Sequence, residues 1–209
     1  MTAIGVLTMT WSELRHCDRP PQPRAIALLL DACDPPDYGV DPATERVLAA
    51  TLADTASVVV AAIGAVVLPA WAALLACRAD VVVAVPEAVV DLTGDGDAVS
   101  RFVALADART PPWVDTGSWS GRRIEAAELL RSGLVAELTA DARALGGQVA
   151  ERLARNSRLA LDSILAITKS ALGLDLSDVL AAEADAQVAC MSSPEHAAAM
   201  AARSQKARQ

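Results

Sequence analysis

Aromatic residues are nearly absent from this chain: 209 residues hold one Phe, one Tyr and four Trp. A surface that reads single-stranded nucleic acid needs aromatic faces for stacking, and this sequence cannot supply them. Lysine is scarcer still, found only at Lys169 and Lys206, and the formal net charge is −8. Binding a polyanion requires many cationic contacts to phosphate, so a nucleic-acid partner is not expected. The preference for Ala and for Arg over Lys reflects genome composition and carries no functional information. Paired cysteines are also missing. Cys17, Cys33, Cys77 and Cys190 stand far apart with no CxxC spacing, so reduced thiols in a cytoplasmic protein are the expectation. The opening MTAIGVLTMTWSELRH lacks the basic start and long apolar core of a secretory signal.

One absence is local. No charged residue occurs from Ala56 through Cys77. Such a run is long enough for a membrane span, but its content argues otherwise. Gly64 and Pro69 interrupt it, and a proline inside a helix removes a hydrogen bond. SVVVAAIG is β-branched, AWAALLAC is helix-forming, and after Arg78-Ala79-Asp80 a second β-rich run, VVVAV, follows. This reads as strand, turn, buried helix, strand: a βαβ unit whose parallel strands are covered on both faces. No membrane partner is expected.

Around this unit the sequence predicts short strands at 4–9 and 25–30, joined by the proline-rich connector RHCDRPPQPR, then the loop ACDPPDYGVDP. An amphipathic helix is expected over 43–53, with Val47, Leu48 and Leu52 on one face. DLTGDGD (91–97) reads as a turn, 100–108 as a helix, and 110–121 as a loop. IEAAELLRS reads as a helix ending at Gly133, placed as a C′ glycine. Leu134-Val135 begins a brief extended piece. Further helices are expected over 140–155, 157–172 and 176–191, and from Pro194 onward. The fold class is therefore α/β, with a core over 1–138 and a helical region over 139–209.

Two stretches resemble a known family. WSGRRIEAAELLRSGLVAEL (119–138) is similar to the "Gr.i.A.eA...GLV" segment of the crotonase (enoyl-CoA hydratase/isomerase) superfamily, and VVVAAIGAVVLPAWAALLACRADVVVA is similar to its glycine-rich segment. NSRLAL, Lys169, Glu183 and SSPEHAAAMAARSQKAR resemble its C-terminal helices. The resemblance covers about 58–209; the N-terminal quarter matches poorly, and the chain is shorter than typical members. It implies stacked ββα units, a homotrimer or hexamer built through the C-terminal helices, and an acyl-CoA or carrier-bound acyl thioester as ligand. No cofactor is implied. In the family two backbone N–H groups grip the thioester oxygen, because developing negative charge needs preorganised donors. Two glutamates then handle the proton and water.

Measured against that pattern, this sequence has lost parts. With Gly64 on the family's Asn-Gly step, Leu68, Pro69 and Ala70 replace three glycines, and Pro69 has no N–H to give. Losing one such donor costs on the order of 3 kcal/mol of barrier. The first glutamate becomes Ala72; with Asp80 on the family aspartate instead, Trp71 takes the middle glycine and Leu74 the glutamate. Neither register has a carboxylate. The second glutamate falls near Gly94, leaving Asp91, Asp95 and Asp97 as acid–base candidates, though an exposed turn accumulates aspartates anyway. The first donor loop lacks its Ala-Gly-x-Asp pattern and leaves Ala32 and Cys33. Trp71 either packs the core or narrows the acyl pocket. Lys169 resembles a CoA-phosphate contact, and Arg122-Arg123 reads as a solvated charge pair.

The rival sites are weaker. Counting DLTGDGD as a calcium loop puts Phe102 where the bidentate Glu must stand. His16, Cys17 and His196 have no third metal ligand at helical spacing. Cys33 beside His16 would make a nucleophile only if folding brought them together. The expectation is an acyl-thioester-binding protein of the enoyl-CoA hydratase/isomerase type without standard hydratase machinery, active as a lyase or isomerase if active at all. The alternative is a non-catalytic auxiliary or structural subunit for a partner enzyme.

Overall fold

The structure, a computed structural model, describes residues 6–10, 13, 23–30, 52, 57–93, 97–108, 114–171 and 174–206. Five strands form a parallel sheet in the order β1-β2-β3-β5-β8: β1 (Val6–Thr10), β2 (Ala25–Leu30), β3 (Val58–Ile63), β5 (Val81–Ala84) and β8 (Glu137–Leu138). A smaller sheet joins β4 (Val67–Pro69) in parallel to β6 (Val89–Asp91), which pairs antiparallel with β7 (Arg123–Glu125). Every residue of β2 and β3 is buried, as a strand covered on both faces must be.

Seven α-helices lie among the described residues: α1 (Ala70–Arg78), α2 (Asp97–Asp107), α3 (Ala126–Ser132), α4 (Ala142–Ala154), α5 (Arg158–Ala171), α6 (Leu176–Met191) and α7 (Pro194–Lys206). The chain divides into two compact units, 1–152 and 153–209. In the first, the uncharged stretch resolves into β3, β4 and the first eight residues of α1, all eight buried. Asp80 closes the unit: its Oδ2 accepts from Val59 N at 2.8 Å, and its own N–H donates to Val59 O at 2.8 Å. A nine-residue helix rises only about 14 Å, half of what a bilayer requires. Among the described residues no helix is long and apolar enough to cross a membrane.

Two local expectations are corrected. Ile124-Glu125 is strand rather than helix: Val90↔Ile124 and Val89↔Glu125 pair in the small sheet, and α3 starts only at Ala126. The stretch expected as loop contains a 3-10 turn, Thr116–Trp119, where Asp115 accepts from Ser118 N. Gly133 ends α3 as expected, at φ 82° in the left-handed region, with its N–H donating to Leu130 O at 3.0 Å. The helix expected over 43–53 lies outside the described residues apart from Leu52, which is buried.

Gly146 fixes how closely α4 approaches the main sheet. A Cβ at this position would stand 2.9 Å from Ala62 Cβ on β3 and 3.7 Å from Val83 Cγ2 on β5. Neither Ala62 Cβ nor its backbone can rotate away. At Gly147 a Cβ would meet nothing within 4 Å. Gly147→Ala should therefore stabilise by roughly 0.5–1 kcal/mol through helix propensity. Gly146→Ala should destabilise, because overpacking of about 1–3 kcal/mol exceeds that gain. Opposite shifts of the urea midpoint at adjacent glycines are the expected result, and shifts of one sign would mean that α4 packs differently.

Candidate functional site at the N-terminus of helix α1

β4 delivers the chain to α1 through Pro69, the N-cap, at φ −67° and ψ 159°. No side chain caps the helix and its first turn holds no acidic residue. Leu68 and Ala72 are fully buried, and Ala70 and Trp71 are buried. A helix start directs its first amides outward along the axis, where they are donors for an oxyanion. Pro69, just before them, has no N–H to add.

The parallel pairing of β4 with β6 places Leu68 opposite Val90 and Pro69 opposite Asp91. Two elements singled out in the sequence, Leu68-Pro69 and the first aspartate of DLTGDGD, are therefore neighbours on adjacent strands. Both oxygens of Asp91 are engaged. Oδ1 accepts from Thr93 N at 2.9 Å and Thr93 Oγ1 at 2.6 Å, and Oδ2 accepts from Arg123 Nε at 3.1 Å. The Thr93 hydroxyl, then its amide, and further the Arg123 guanidinium hold the Asp91 carboxyl below its usual range. As it stands Asp91 is an ionised acceptor that ties the end of β6 to β7.

Arg122 and Arg123 remain solvated, at 39% and 64% side-chain exposure, but each also has a carboxylate partner. Adjacent in sequence, they reach different carboxylates: Arg123 goes to Asp91, while Arg122 Nη1 and Nη2 donate to Glu128 Oε2 and Oε1 at 3.0 and 2.6 Å. Arg122 Nε also donates to Ser118 O at 2.9 Å, joining the 3-10 turn to α3. Hydrogen bonding to Arg122, with a smaller contribution from Trp119, holds the Glu128 carboxyl below its ordinary range. Sequence reasoning missed Thr93 and Glu128, and named Arg123 without its partner Asp91. The only signal available was the i, i+2 Asx spacing of Asp91 and Thr93.

A carboxyl whose folded value is lowered stabilises the fold above its unfolded value, and that contribution is lost as pH falls through the folded one. The acid limb of stability should therefore contain a contribution from the Arg122–Glu128 fork. Glu128→Gln should lose stability near neutral pH and lose less than the parent on acidification. Urea unfolding at about pH 7 and about pH 3.5 measures this. An unchanged acid limb would mean the fork does not persist in solution.

Of the other expected site residues, Ala32, Cys33, Asp95, His16 and Cys17 lie outside the described residues, as do the side chains of Asp97 and Lys169; Lys169 falls on α5. Phe102 is buried in the core. No group of three or more His, Cys, Asp or Glu side chains among the described residues could hold a metal ion. Beneath α1 an apolar cavity of about 20 Å³ is lined by Cys77, Phe102 and Leu134, among others.

No family model and no curated protein matches this chain. Solved structures do. An enoyl-CoA hydratase of Polaromonas sp. JS666 superposes with a TM-score of 0.74 at 20% identity, over 97% of this chain and 94% of that one. The human enoyl Coenzyme A hydratase domain-containing protein 3 superposes with 0.74 at 19%, over 95% and 89%. An enoyl-CoA hydratase/isomerase from Marinobacter aquaeolei gives 0.70 at 18%, over 96% and 92%. The chain has the fold of the enoyl-CoA hydratase/isomerase, or crotonase, structures. The likeness is not confined to 58–209 as the sequence suggested. It runs through the N-terminal quarter, where β1 and β2 extend the parallel sheet.

Proposed function

We propose that this protein binds an acyl-CoA or carrier-bound acyl thioester at the N-terminus of α1 and does not hydrate it in the standard way. One observation carries the reading: the first turn of α1 has no side-chain cap and no acid, Pro69 precedes it, and Ala72 is fully buried. Hydration needs a carboxylate touching both water and substrate. Asp91, already committed to Thr93 and Arg123, is the nearest described carboxylate along β6, and it is a weak base in that state. Any chemistry would run as a lyase or isomerase reaction through Asp91, Asp95 or Asp97. Ala32 and Cys33 are the proposed first donors, Leu68, Pro69 and Trp71 the proposed pocket wall, and Lys169 the proposed CoA-phosphate contact. A cytoplasmic setting suits such a ligand.

The second reading, an auxiliary or structural subunit, rests on the helical unit 153–209. No residue of α6 is buried, although Leu176, Leu180, Val188 and Met191 lie on it, all exposed. These four side chains share one side of the helix, and an apolar stripe of that kind normally faces a protein surface. We propose that this unit is covered in a homotrimer or hexamer, or by a partner enzyme.

Calorimetric titration with CoA and short acyl-CoAs tests the first reading. Saturable binding weakened by Lys169→Ala is the expected result. A folded protein that binds none of them contradicts it.

A further inference from the structure

We infer that the acyl group this site takes carries a carboxylate of its own, which Arg123 holds beside the N-terminus of α1. This deepens the thioester reading proposed above and rests on it.

The small sheet sorts its side chains by alternation. Leu68, Val90 and Ile124 form one cross-strand row and are 0%, 2% and 0% exposed, so they face the core. The rows on either side turn to the opposite face. Pro69, Asp91 and Arg123 make one of them, and Val67, Val89 and Glu125 make the other. None of these six is buried. Over β4 and β6 this outer face is apolar apart from Asp91, with Val67 half-buried, and over β7 it is charged. Such a face suits a ligand with an apolar body and one charged end.

Pro69 joins this face to the site, because it belongs to the outer row and is also the N-cap of α1. Neighbouring strands lie about 4.8 Å apart, so Arg123 starts about 10 Å from Pro69 across the sheet. Its side chain covers part of that distance. Nε reaches Asp91 Oδ2 at 3.1 Å, which draws the guanidinium toward the middle strand.

The pairing of that guanidinium decides what it can take. Asp91 uses only Nε. Among the described residues nothing accepts from Arg123 Nη1 or Nη2, and the side chain is 64% exposed. Asp91 is held from its other side by the Thr93 amide and hydroxyl, which fixes the anchor. An arginine fastened through Nε, with its Nη pair facing solvent, is preorganised for a planar two-oxygen anion. Asp91 and the ligand carboxylate then use different edges of one five-donor group. Arg122 differs, since both its Nη groups are spent on Glu128. The acyl chain must be short. Glu125 stands two residues along β7 on the same face and repels a carboxylate that reaches past Arg123.

Calorimetric titration of the full chain with glutaryl-CoA and valeryl-CoA tests this, since the two acyl chains match in length and differ in the terminal carboxylate. The parent should bind glutaryl-CoA roughly tenfold more tightly, a modest gain because Arg123 is exposed. That preference should shrink as salt rises. Arg123→Gln should bring the two affinities together, and Arg123→Lys, which keeps the charge but not the fork, should recover only part of the difference. Circular dichroism checks that each variant is folded, and the comparison within the parent decides the matter if one is not. Equal affinities in the parent overturn the carboxylate assignment and leave the thioester reading standing. A parent that binds neither ligand overturns both. If Arg123→Gln weakens both ligands and free CoA alike, Arg123 contacts the CoA phosphates and the carboxylate assignment is wrong.

Discussion

Leu134→Asp is expected to abolish soluble expression or to cost at least about 3 kcal/mol, because it places a carboxylate against an apolar lining. Leu134 is 7% exposed and lines the apolar cavity with Cys77 and Phe102. The segment cannot move aside. Ala136 N–H donates to Val82 O at 2.8 Å and Thr139 N–H to Ala84 O at 2.9 Å, holding the chain against β5. Leu134→Met, which conserves volume, should cost less than about 1.5 kcal/mol. Equal melting of the Asp and Met variants would show that this segment is not part of the core.

Trp119→Ala should cost about 3–5 kcal/mol, the range for removing a large aromatic from a core. Trp119 is 2% exposed and stacks on Phe102 with ring centroids 6.2 Å apart and planes at 29°. Its loss would empty the space between the 3-10 turn and α2, and would remove one of the groups that hold Glu128 ionised. Trp119→Phe keeps most of the apolar area and loses only the N–H, so about 1–2 kcal/mol is expected. Urea unfolding of the three proteins separates the two contributions. Indistinguishable Ala and Phe variants would mean that the hydrogen bond, and not the packing, fastens the turn.

These two residues also show how much the sequence disclosed. The segment from Trp119 to Leu138 revealed the fold because its demands are local: a glycine in the left-handed region at Gly133, then two apolar residues against β5. The membrane question was legible for the same reason, since β-branched and helix-forming halves meet at Pro69. What escaped was pairing at a distance. Arg123 finds Asp91 across 32 positions only because β7 runs antiparallel to β6, and no periodicity encodes that register. Arg122, just before β7, goes to Glu128 while its neighbour goes to Asp91, so adjacent charges make two separate ties. The juxtaposition of Pro69 with Asp91 was equally hidden, because the three-residue β4 is too short to declare itself a strand.

The site was legible mainly through what it lacks. α1 carries no carboxylate, as its sequence reads, and Ala70 through Cys77 are all buried.

The most direct test of that account is to incubate the purified protein with a short trans-2-enoyl-CoA and follow both binding and the enoyl absorbance. The account predicts saturable binding with the enoyl-CoA recovered unchanged. Conversion to the 3-hydroxyacyl-CoA at an ordinary enzymatic rate, on the order of 10 s⁻¹, would contradict it.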